Sequence, residues 1–369
     1  MTSISPADRH LIEEEEEKAV KPTTAFRVFL PAILLASCTQ PDGAGLASAD
    51  LAARMADVES PALRLHGFRE SFEIAPVLLA ADRYFPAGIS IKRGGIPNLF
   101  RAEGRGGYGD PGLADVATHA ETQLLRYSLE RPDLRTIMTV TEGLYRIVAR
   151  RSAGIERPAD LKSKRIATLI DTSAGFFLQK LLEREGLGIG DVVLVDLPLD
   201  RMGEALAEGT VDALSIWEPE AEEGARALGA DLIEFSGEGI YREIFNLNST
   251  AATLADPEKR AQIKDFLRAI IRARREIERD PSAAQSLVQR MSGHAPELVE
   301  ASWPHQRYVA GKVPDLLDVL AEEEAWLARR DRRPARSREE LAKLIDYSLL
   351  DEVLAEETGA AGQSAAVRR

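Results

Sequence analysis

The segment at residues 164–217 constrains the fold more than any other part of the chain, because short apolar runs alternate in it with segments of helical period. The apolar runs lie at residues 165–169, 192–195 and 213–217. This order predicts a β-α-β-α-β unit, with a parallel sheet covered by helices on both faces. Such sheets bind ligands at the carboxyl ends of their strands. The turn at residues 171–175 follows the first run, so we expect it to border a binding site.

The helix predicted after this turn begins at residues that suit an anion. Thr172 or Ser173 caps the helix, and Phe177 and Leu181 belong to its apolar stripe. The first N–H groups of a helix have no partner within it, and the helix dipole places partial positive charge there. The sequence therefore predicts an anion site at this helix start. The alternative is a well-capped helix without a ligand.

A series of motifs resembles the solute-binding proteins of ABC importers for nitrate, sulfonates and taurine. The motifs are Leu-Lys-Ser-Lys-Arg-Ile-Ala at 161–167, Asp-Thr-Ser-Ala-Gly-Phe-Phe-Leu at 171–178, Leu-Ala-Glu-Gly-Thr-Val-Asp-Ala at 206–213, Trp-Glu-Pro at 217–219, Gly-Phe at 67–68, Ala-Pro-Val-Leu-Leu-Ala at 75–80 and Gly-Leu-Ala-Asp-Val-Ala-Thr at 112–118. The resemblance covers residues 63–353. It implies an α/β, two-lobe periplasmic-binding-protein type II fold, in which each lobe is a mostly parallel sheet flanked by helices and the ligand cleft lies between the lobes.

The same resemblance implies a role. The expected protein captures a small organic anion or zwitterion, such as a sulfonate, taurine or nitrate, and delivers it to an ABC permease with its ATPase. It is expected to be a monomer, not an enzyme, and to need no cofactor. The alternatives are an enzyme similar to the thiamine pyrimidine synthases, which share the fold, or a binder of pyrimidine or aromatic solutes. Those synthases use a Cys-rich motif, and this chain has none.

Two departures from the family pattern leave the ligand open. Asp171 stands where the family usually has Gly, and its carboxylate would repel an anion unless it points away or the ligand is also cationic. The stretch at residues 92–112 is longer and richer in Gly and Arg than the usual link.

The family order also predicts the domain bounds. Residues 1–60 form a lipoprotein-type signal and tether, 61–145 with 245–354 form lobe I, 146–244 form lobe II, and 355–369 form a disordered tail. In the return to lobe I, helices are predicted at 257–279, 283–292 and 295–306. Two crossovers, near Tyr145 and near Phe245, join the lobes, so we expect hinge closure over the ligand.

Cys38 is the only cysteine, which excludes an intramolecular disulfide and a Cys-rich zinc site. It ends an apolar run at 29–38 that is too short to span a bilayer, and Leu-Ala-Ser-Cys resembles a bacterial lipobox. This predicts lipidation at Cys38 and a membrane-anchored lipoprotein of the periplasm or cell envelope. Five glutamates at 13–17 precede the run where positive charge is expected. Either the true start lies near Val20, or the segment is an acidic tail ahead of a buried apolar stretch.

Charge and motifs exclude several other classes. A net charge of -13 and a pI near 5.1 argue against nucleic acid as a partner, because such proteins need clustered Lys and Arg. The GxGxxG match at 104–109 is followed by Asp-Pro, where a dinucleotide-binding helix would begin, so it predicts a loop. His119 and Glu121 match the HxE of zinc deaminases, but those enzymes need two further cysteines, so no metal is expected.

The candidate ligand-binding residues follow from the strand ends and the helix start. They are Phe68, Ser71 and Phe72 after the first strand, Thr118, His119 and Glu121 near a later strand end, Thr172, Ser173 and Ala174 at the helix start, and Trp217 and Glu218 after the last strand of the unit. If Glu121 or Glu218 enters the cleft, an ammonium group of a zwitterion would suit it. The alternative for Trp217 is core packing, and for Glu218 a surface ion pair.

Overall fold

The computed structural model describes residues 51, 53–58, 61–103 and 109–367, with side chains up to residue 358. Cys38 and most of the predicted signal and tether lie outside the described residues. Within these ranges, no helix combines the length and apolar character needed to cross a membrane.

The first part of the chain supplies four strands of a six-stranded sheet. Its elements are β1 (Leu63–Gly67), α1 (Ala75–Arg83), β2 (Ile89–Arg93), β3 (Val116–Ala120), α2 (Glu121–Tyr127) and β4 (Leu134–Gly143). Strand β1 pairs in parallel with β2 and with β3. Most residues of these strands are buried, as expected for a sheet covered on both faces.

The chain then forms a second sheet, of five strands. Its elements are β5 (Arg146–Arg150), β6 (Arg165–Ala167), α3 (Ser173–Arg184), β7 (Val193–Val195), α4 (Leu199–Glu208), β8 (Ala213–Ile216), α5 (Glu220–Leu228) and β9 (Leu232–Ser236). The strand order is β7-β6-β8-β5-β9, and β6 pairs in parallel with both β7 and β8. The β-α-β-α-β unit predicted from the sequence is therefore confirmed.

The remaining chain returns to the first sheet. Its elements are β10 (Glu243–Thr250), α6 (Ala251–Ala255), α7 (Pro257–Arg279), α8 (Ser282–Ser292), α9 (Pro296–Ser302), β11 (Gln306–Gly311), α10 (Leu316–Arg330), α11 (Arg338–Ala342) and α12 (Ser348–Val367). Strand β10 inserts antiparallel between β3 and β4, and β11 pairs antiparallel with β4. The completed order is β11-β4-β10-β3-β1-β2.

We call the six-stranded sheet with its helices lobe I and the five-stranded sheet with its helices lobe II. The chain passes between them twice, from β4 into β5 and from β9 into β10. The two-lobe α/β architecture is as predicted, although both sheets are mixed, because β5 and β10 run against their neighbours. The lobe bounds of 61–145 with 245–354 and 146–244 remain a proposed division.

The long helix α7 illustrates how the sequence anchors lobe I. Asp256 caps it by accepting hydrogen bonds from the N–H groups of Glu258 and Lys259, and Pro257 opens its first turn. Its buried stripe includes Phe266, whose ring packs edge-on against Phe85 with 5.1 Å between centroids. Full burial of one such side chain stabilises the fold by roughly 1.5–3 kcal/mol.

The carboxyl-terminal helix differs from the prediction. Residues 355–369 were predicted to be disordered, but α12 continues to Val367. Ion pairs with α7 hold its middle in place: Glu356 contacts Lys264 and Arg268, and Glu357 contacts Arg275. Composition alone gives no sign of these contacts, because they join segments that lie far apart in the sequence.

Candidate functional site

A cleft of about 220 Å³ lies between the lobes, where strand ends of both sheets face each other. Lobe I lines it with Phe68, Ser71, Glu73, Gly94, Gly95, Pro97, Asn98, His119, Ala120, Gln123, Arg126, Tyr127, Glu243 and Phe245. Lobe II lines it with Leu169, Thr172, Ser173 and Trp217. The lining follows β1, β2, β3, β6 and β8, which is where ligands bind in open α/β sheets.

The start of α3 forms one wall of this cleft. Thr172 caps the helix, because its Oγ1 accepts a hydrogen bond from the Ala174 N–H at 3.2 Å. The next residue is already engaged: Ser173 Oγ lies 2.9 Å from the Tyr145 hydroxyl and donates to Glu243 Oε1 at 3.2 Å. The helix start predicted to receive an anionic ligand therefore faces a carboxyl group of the protein itself.

Glu243 and Glu73 form a buried carboxyl pair in the cleft, with 5% and 2% of their surfaces exposed. Burial raises the pKa of Glu73, against the effect of hydrogen bonds with Ser71 and Glu243. Burial also raises the pKa of Glu243 well above its ordinary value, and the nearby charges of Glu73 and Glu121 raise it further. Two adjacent buried carboxyl groups cannot both ionise cheaply, so the pair retains a proton near neutral pH.

A second acidic pair lies deeper, behind the lining. Glu121 accepts hydrogen bonds from the Tyr241 hydroxyl at 2.5 Å and from the Ile244 N–H at 2.9 Å. Burial and the neighbouring Glu323 raise the pKa of Glu121 well above its ordinary value. Burial raises the pKa of Glu323 itself to about 8. These two residues extend the acidic group from the cleft into the core.

His119 enters the cleft as a neutral ring. Its Nδ1 accepts a hydrogen bond from the Ile96 N–H at 3.2 Å, which leaves the ring proton on Nε2. Burial lowers the pKa of His119 to about 4. The backbone at Gly95 lies so close that a Cβ there would come 2.6 Å from Nδ1, so this glycine allows the loop to approach the ring.

Arg126 is the cationic residue among the described residues that line the cleft. Its Nη1 donates to the Asp171 carbonyl at 2.7 Å, and its Nη2 lies 3.7 Å from the Asp171 carboxylate. Arg330 binds the same carboxylate at 2.5 Å and also donates to the Ile170 carbonyl at 2.8 Å. Asp171 therefore faces the guanidinium groups of Arg126 and Arg330, and it links lobe II to α2 and α10 of lobe I.

Some of the residues predicted for the site line this cleft together. They are Phe68, Ser71, His119, Thr172, Ser173 and Trp217. The buried Trp217 Nε1 has no hydrogen-bond partner among the described residues.

The remaining predicted residues lie behind the lining. Phe72 is fully buried in the core of lobe I, where its ring packs edge-on against His294. Thr118 lies beneath Gly67 on the neighbouring strand, and Ala174 is fully buried in the first turn of α3. Glu121 is hydrogen-bonded in the core, as described above.

Glu218 also lies outside the lining, in a buried ion pair. Its carboxylate accepts a hydrogen bond from Arg146 Nε at 3.1 Å and another from the Glu222 N–H at 3.0 Å. The predicted alternative of a surface ion pair has the right kind of partner, but only 3% of Glu218 is exposed.

Sequence reasoning missed the carboxyl pair. Glu73 is two residues from Ser71, in the same loop after β1 that was predicted to face the ligand. Glu243 opens β10 directly after the second crossover, in a strand that is otherwise apolar or rich in Asn, Ser and Thr. A lone acidic residue at a strand end beside a hinge is the signal that points to it. The described residues contain no group of three or more His, Cys, Asp or Glu side chains arranged to hold a metal ion.

Comparisons with known proteins bear on the family and the fold. The family model described as "NMT1/THI5 like" matches residues 110–284, slightly under half of the chain. The predicted resemblance to the solute-binding proteins of ABC importers is confirmed by this match together with the solved structures below. No curated protein matches the sequence.

Solved structures support the same fold. The alkanesulfonate-binding protein SsuA from Xanthomonas axonopodis pv. citri, bound to MOPS, has a TM-score of 0.62 and 20% identity, over 78% of this chain and 99% of that one. The periplasmic nitrate-binding protein NrtA from Synechocystis PCC 6803 has a TM-score of 0.59 and 12% identity, over 80% and 88%. An enzyme is similar as well: a mutant of the desulfurization enzyme DSZB in complex with biphenyl-2-sulfinic acid has a TM-score of 0.56 and 16% identity, over 80% and 99%. The fold is therefore the two-lobe fold of periplasmic solute-binding proteins, which enzymes also use.

Proposed function

We propose that this protein is the extracytoplasmic solute-binding component of an ABC importer. It would capture a small solute between its lobes and deliver it to the permease and its ATPase. The observation that carries the proposal is the cleft itself, which both lobes line at their strand ends with aromatic walls and a few polar groups. Its volume of about 220 Å³ suits a small solute, because it lies below the range typical of sites for drug-sized molecules.

The sequence predicts a small anion or zwitterion as the ligand. Of these two classes, we propose a zwitterion. Sulfonate- and nitrate-binding proteins are structural neighbours, which supports a ligand of that size. A cleft that contains Glu73 and Glu243 favours a solute that also has a cationic group. An amino sulfonate such as taurine therefore fits better than nitrate.

The proposal includes a place in the cell. Two structural neighbours, the aliphatic sulphonate binding protein SsuA from Escherichia coli and NrtA, are periplasmic, and we propose the periplasm or cell envelope for this protein. We also propose that the protein is a monomer and that lipidated Cys38 anchors it to the membrane. Cys38 lies outside the described residues, so the anchor is tested by experiment. Mass spectrometry of membrane-extracted protein should find an acylated amino terminus at residue 38. An unmodified Cys38 in the mature envelope protein would contradict the anchor.

A ligand panel on the full chain tests the capture function. The panel contains taurine, propanesulfonate, nitrate and 4-aminopyrimidine, each measured by thermal shift and then by calorimetry. A ligand at about a hundredfold its Kd adds about 2.7 kcal/mol of stability, which is a clear shift. X-ray scattering with the best ligand should show a smaller radius of gyration as the lobes close.

A pair of tryptophan variants locates the binding. Trp217→Ala removes an aromatic wall of the cleft and should weaken binding by at least about tenfold. Trp303→Ala is the matched control, because Trp303 packs against Tyr308 outside the cleft lining and should leave the affinity unchanged. If no panel compound binds and the radius of gyration stays constant, the proposal is wrong.

An enzyme on the same fold is the alternative, favoured by the likeness to DSZB. The same panel separates the two functions, since a binding protein releases its ligand unchanged. Recovery of a chemically altered compound after incubation would favour the enzyme.

A further inference from the structure

We propose that the cleft recognises the cationic group of its solute, a primary ammonium or an amidinium, by placing it between the carboxyl groups of Glu73 and Glu243. This inference rests on the proposed function and names the chemistry of its ligand. It differs from the prediction that the solute is held mainly by an anionic group at the start of α3.

The first observation is the carboxyl pair itself. Both side chains line the cleft and are more than nine-tenths buried. Glu243 Oε1 accepts a hydrogen bond from Ser173, whereas the buried Oε2 has no partner at hydrogen-bond distance and angle among the described residues. An unpartnered buried carboxyl oxygen costs free energy, which a donor group of a ligand would recover.

The second observation is the charge around the pair. The described ionisable groups with an electrostatic effect on the pair or from it include Glu121, Glu220, Tyr145, Tyr241 and Tyr308. All of these are acids, so no positive charge from these neighbours balances the pair. Glu220 illustrates the effect, because burial raises its pKa to about 8 and the charge of Glu73 contributes to the rise. A cation from outside would supply the positive charge that these neighbours do not.

The third observation is that the positively charged groups of the described lining, which could bind an anion, already have partners. Arg126 is the cation in the described lining, and it already binds Asp171. His119 is neutral, because its pKa lies at about 4. The start of α3 faces Glu243, whose carboxyl group takes up the partial positive charge of the helix. A free sulfonate would have to displace one of these partners.

The side chains that line the cleft indicate what kind of molecule carries the cationic group. Phe68, Tyr127, Trp217 and Phe245 all line it. Aromatic faces attract cations and pack well against flat apolar groups. We therefore infer a small solute that combines an amine or amidine with a flat or short apolar body.

The test compares probes with the same ring and opposite charge. Benzamidine and benzylamine carry the cation, and benzoate and benzenesulfonate carry the anion. Calorimetry on the full chain should find that the two cations bind at least about tenfold more tightly than the two anions. Binding should also release protons, seen as an enthalpy that depends on the ionisation enthalpy of the buffer, because a bound cation favours the ionised carboxyl pair.

Variants of the pair then test the contact. Glu243→Gln and Glu73→Gln each remove one charge at nearly constant shape, and each should weaken benzamidine binding by about tenfold or more. Glu208→Gln is the matched control, because Glu208 is exposed on α4 and outside the cleft lining. The melting temperature of each variant verifies that it is folded.

Two outcomes would overturn the inference and one of them spares the proposed function. If propanesulfonate or nitrate binds and closes the lobes while neither taurine nor the benzyl cations bind, the protein is still a solute receptor but not a receptor for cations. If benzamidine binds equally well to the protein and to both Gln variants, its cation is held elsewhere. Tighter binding of benzamidine to the protein than to both variants, with unchanged binding to the Glu208 variant, supports the assignment.

Discussion

Two groups of buried glutamates in this protein differ in what compensates their charge. In the first, which we call the paired group, Glu218 and Glu222 both bind Arg146. In the second, the unpaired group, Glu73, Glu121, Glu243 and Glu323 are buried, and none of their hydrogen bonds with described residues has a cationic partner. Glu218 is as buried as the unpaired group, and only 13% of the Glu222 side chain is exposed, so the main contrast lies in the counterion.

The contrast separates a structural use of buried acids from a functional one. A buried carboxylate beside a guanidinium is largely balanced, and the pair is often retained for specificity of the fold. Buried acids without a counterion cost free energy in the empty protein, and such groups cluster at functional sites. The paired group joins β5 to α5 within lobe II, whereas the unpaired group reaches the cleft through Glu73 and Glu243.

The largest expected effect comes from breaking the paired group. Arg146→Met should lower the free energy of unfolding by about 3–5 kcal/mol at pH 8, because Glu218 then remains buried without a counterion. Burial raises the pKa of Glu218 to about 7 even with Arg146 present. At pH 5 Glu218 of the variant is protonated, so the loss there should be clearly smaller. Urea denaturation at both pH values measures the difference.

Two further variants check the origin of that loss. Arg146→Met combined with Glu218→Gln should recover part of the stability, since it removes the charge that was left behind. Arg201→Met is the surface control: Arg201 is 61% exposed and pairs with Glu204, so it should cost less than about 1 kcal/mol. An Arg146→Met loss that is the same at pH 5 and pH 8 would show that lost packing, and not the buried charge, is responsible.

The local order of the fold was predictable because it depends on neighbours in the sequence. The alternation of apolar runs and helical stripes between residues 164 and 217 predicts β6, α3, β7, α4 and β8, and the structure contains them in that order. The helix predicted at 257–279 has the same bounds as α7, since Asp256 and Pro257 mark its start. The helix predicted at 295–306 is instead α9, which ends at Ser302, and β11, which begins at Gln306. Pro304 lies between them and cannot continue the hydrogen bonds of a helix.

The site was only partly predictable because it depends on contacts between distant segments. The helix start at Thr172 and Ser173 reaches the cleft, as a capped helix after a parallel strand should. Its neighbour Glu243 follows it by 70 residues and enters through the second crossover. Asp171, which replaces the usual Gly of the family, is explained by Arg126 and Arg330, and neither partner is close to it in the sequence.

A smaller effect should come from relieving the unpaired group at Glu323. Burial raises the pKa of this carboxyl to about 8, above its ordinary value of 4.5. A carboxyl group whose pKa is raised in the folded state contributes stability that is fully present below pH 4.5 and is lost as the pH rises through about 8. The free energy of unfolding should therefore fall between pH 5 and pH 9. In Glu323→Gln this fall should be smaller by about 1–3 kcal/mol, because one buried acid no longer ionises.

Urea denaturation across this pH range measures the effect, and the neighbouring residue provides the control. Glu322 has a 55% exposed side chain that pairs with Lys180, so Glu322→Gln should follow the pH dependence of the unsubstituted protein. Glu323 lies outside the cleft lining, so its variant should also keep the ligand affinity that Glu243→Gln loses. Identical pH curves for the protein and Glu323→Gln would mean that Glu323 keeps an ordinary pKa, and the contrast between the two groups would then apply only to the pair in the cleft. A flatter curve with unchanged ligand affinity would divide the unpaired group into two pairs with different roles. Glu121 and Glu323, in the core, would contribute to the pH dependence of the free energy of unfolding, and Glu73 and Glu243, in the cleft, would bind the solute.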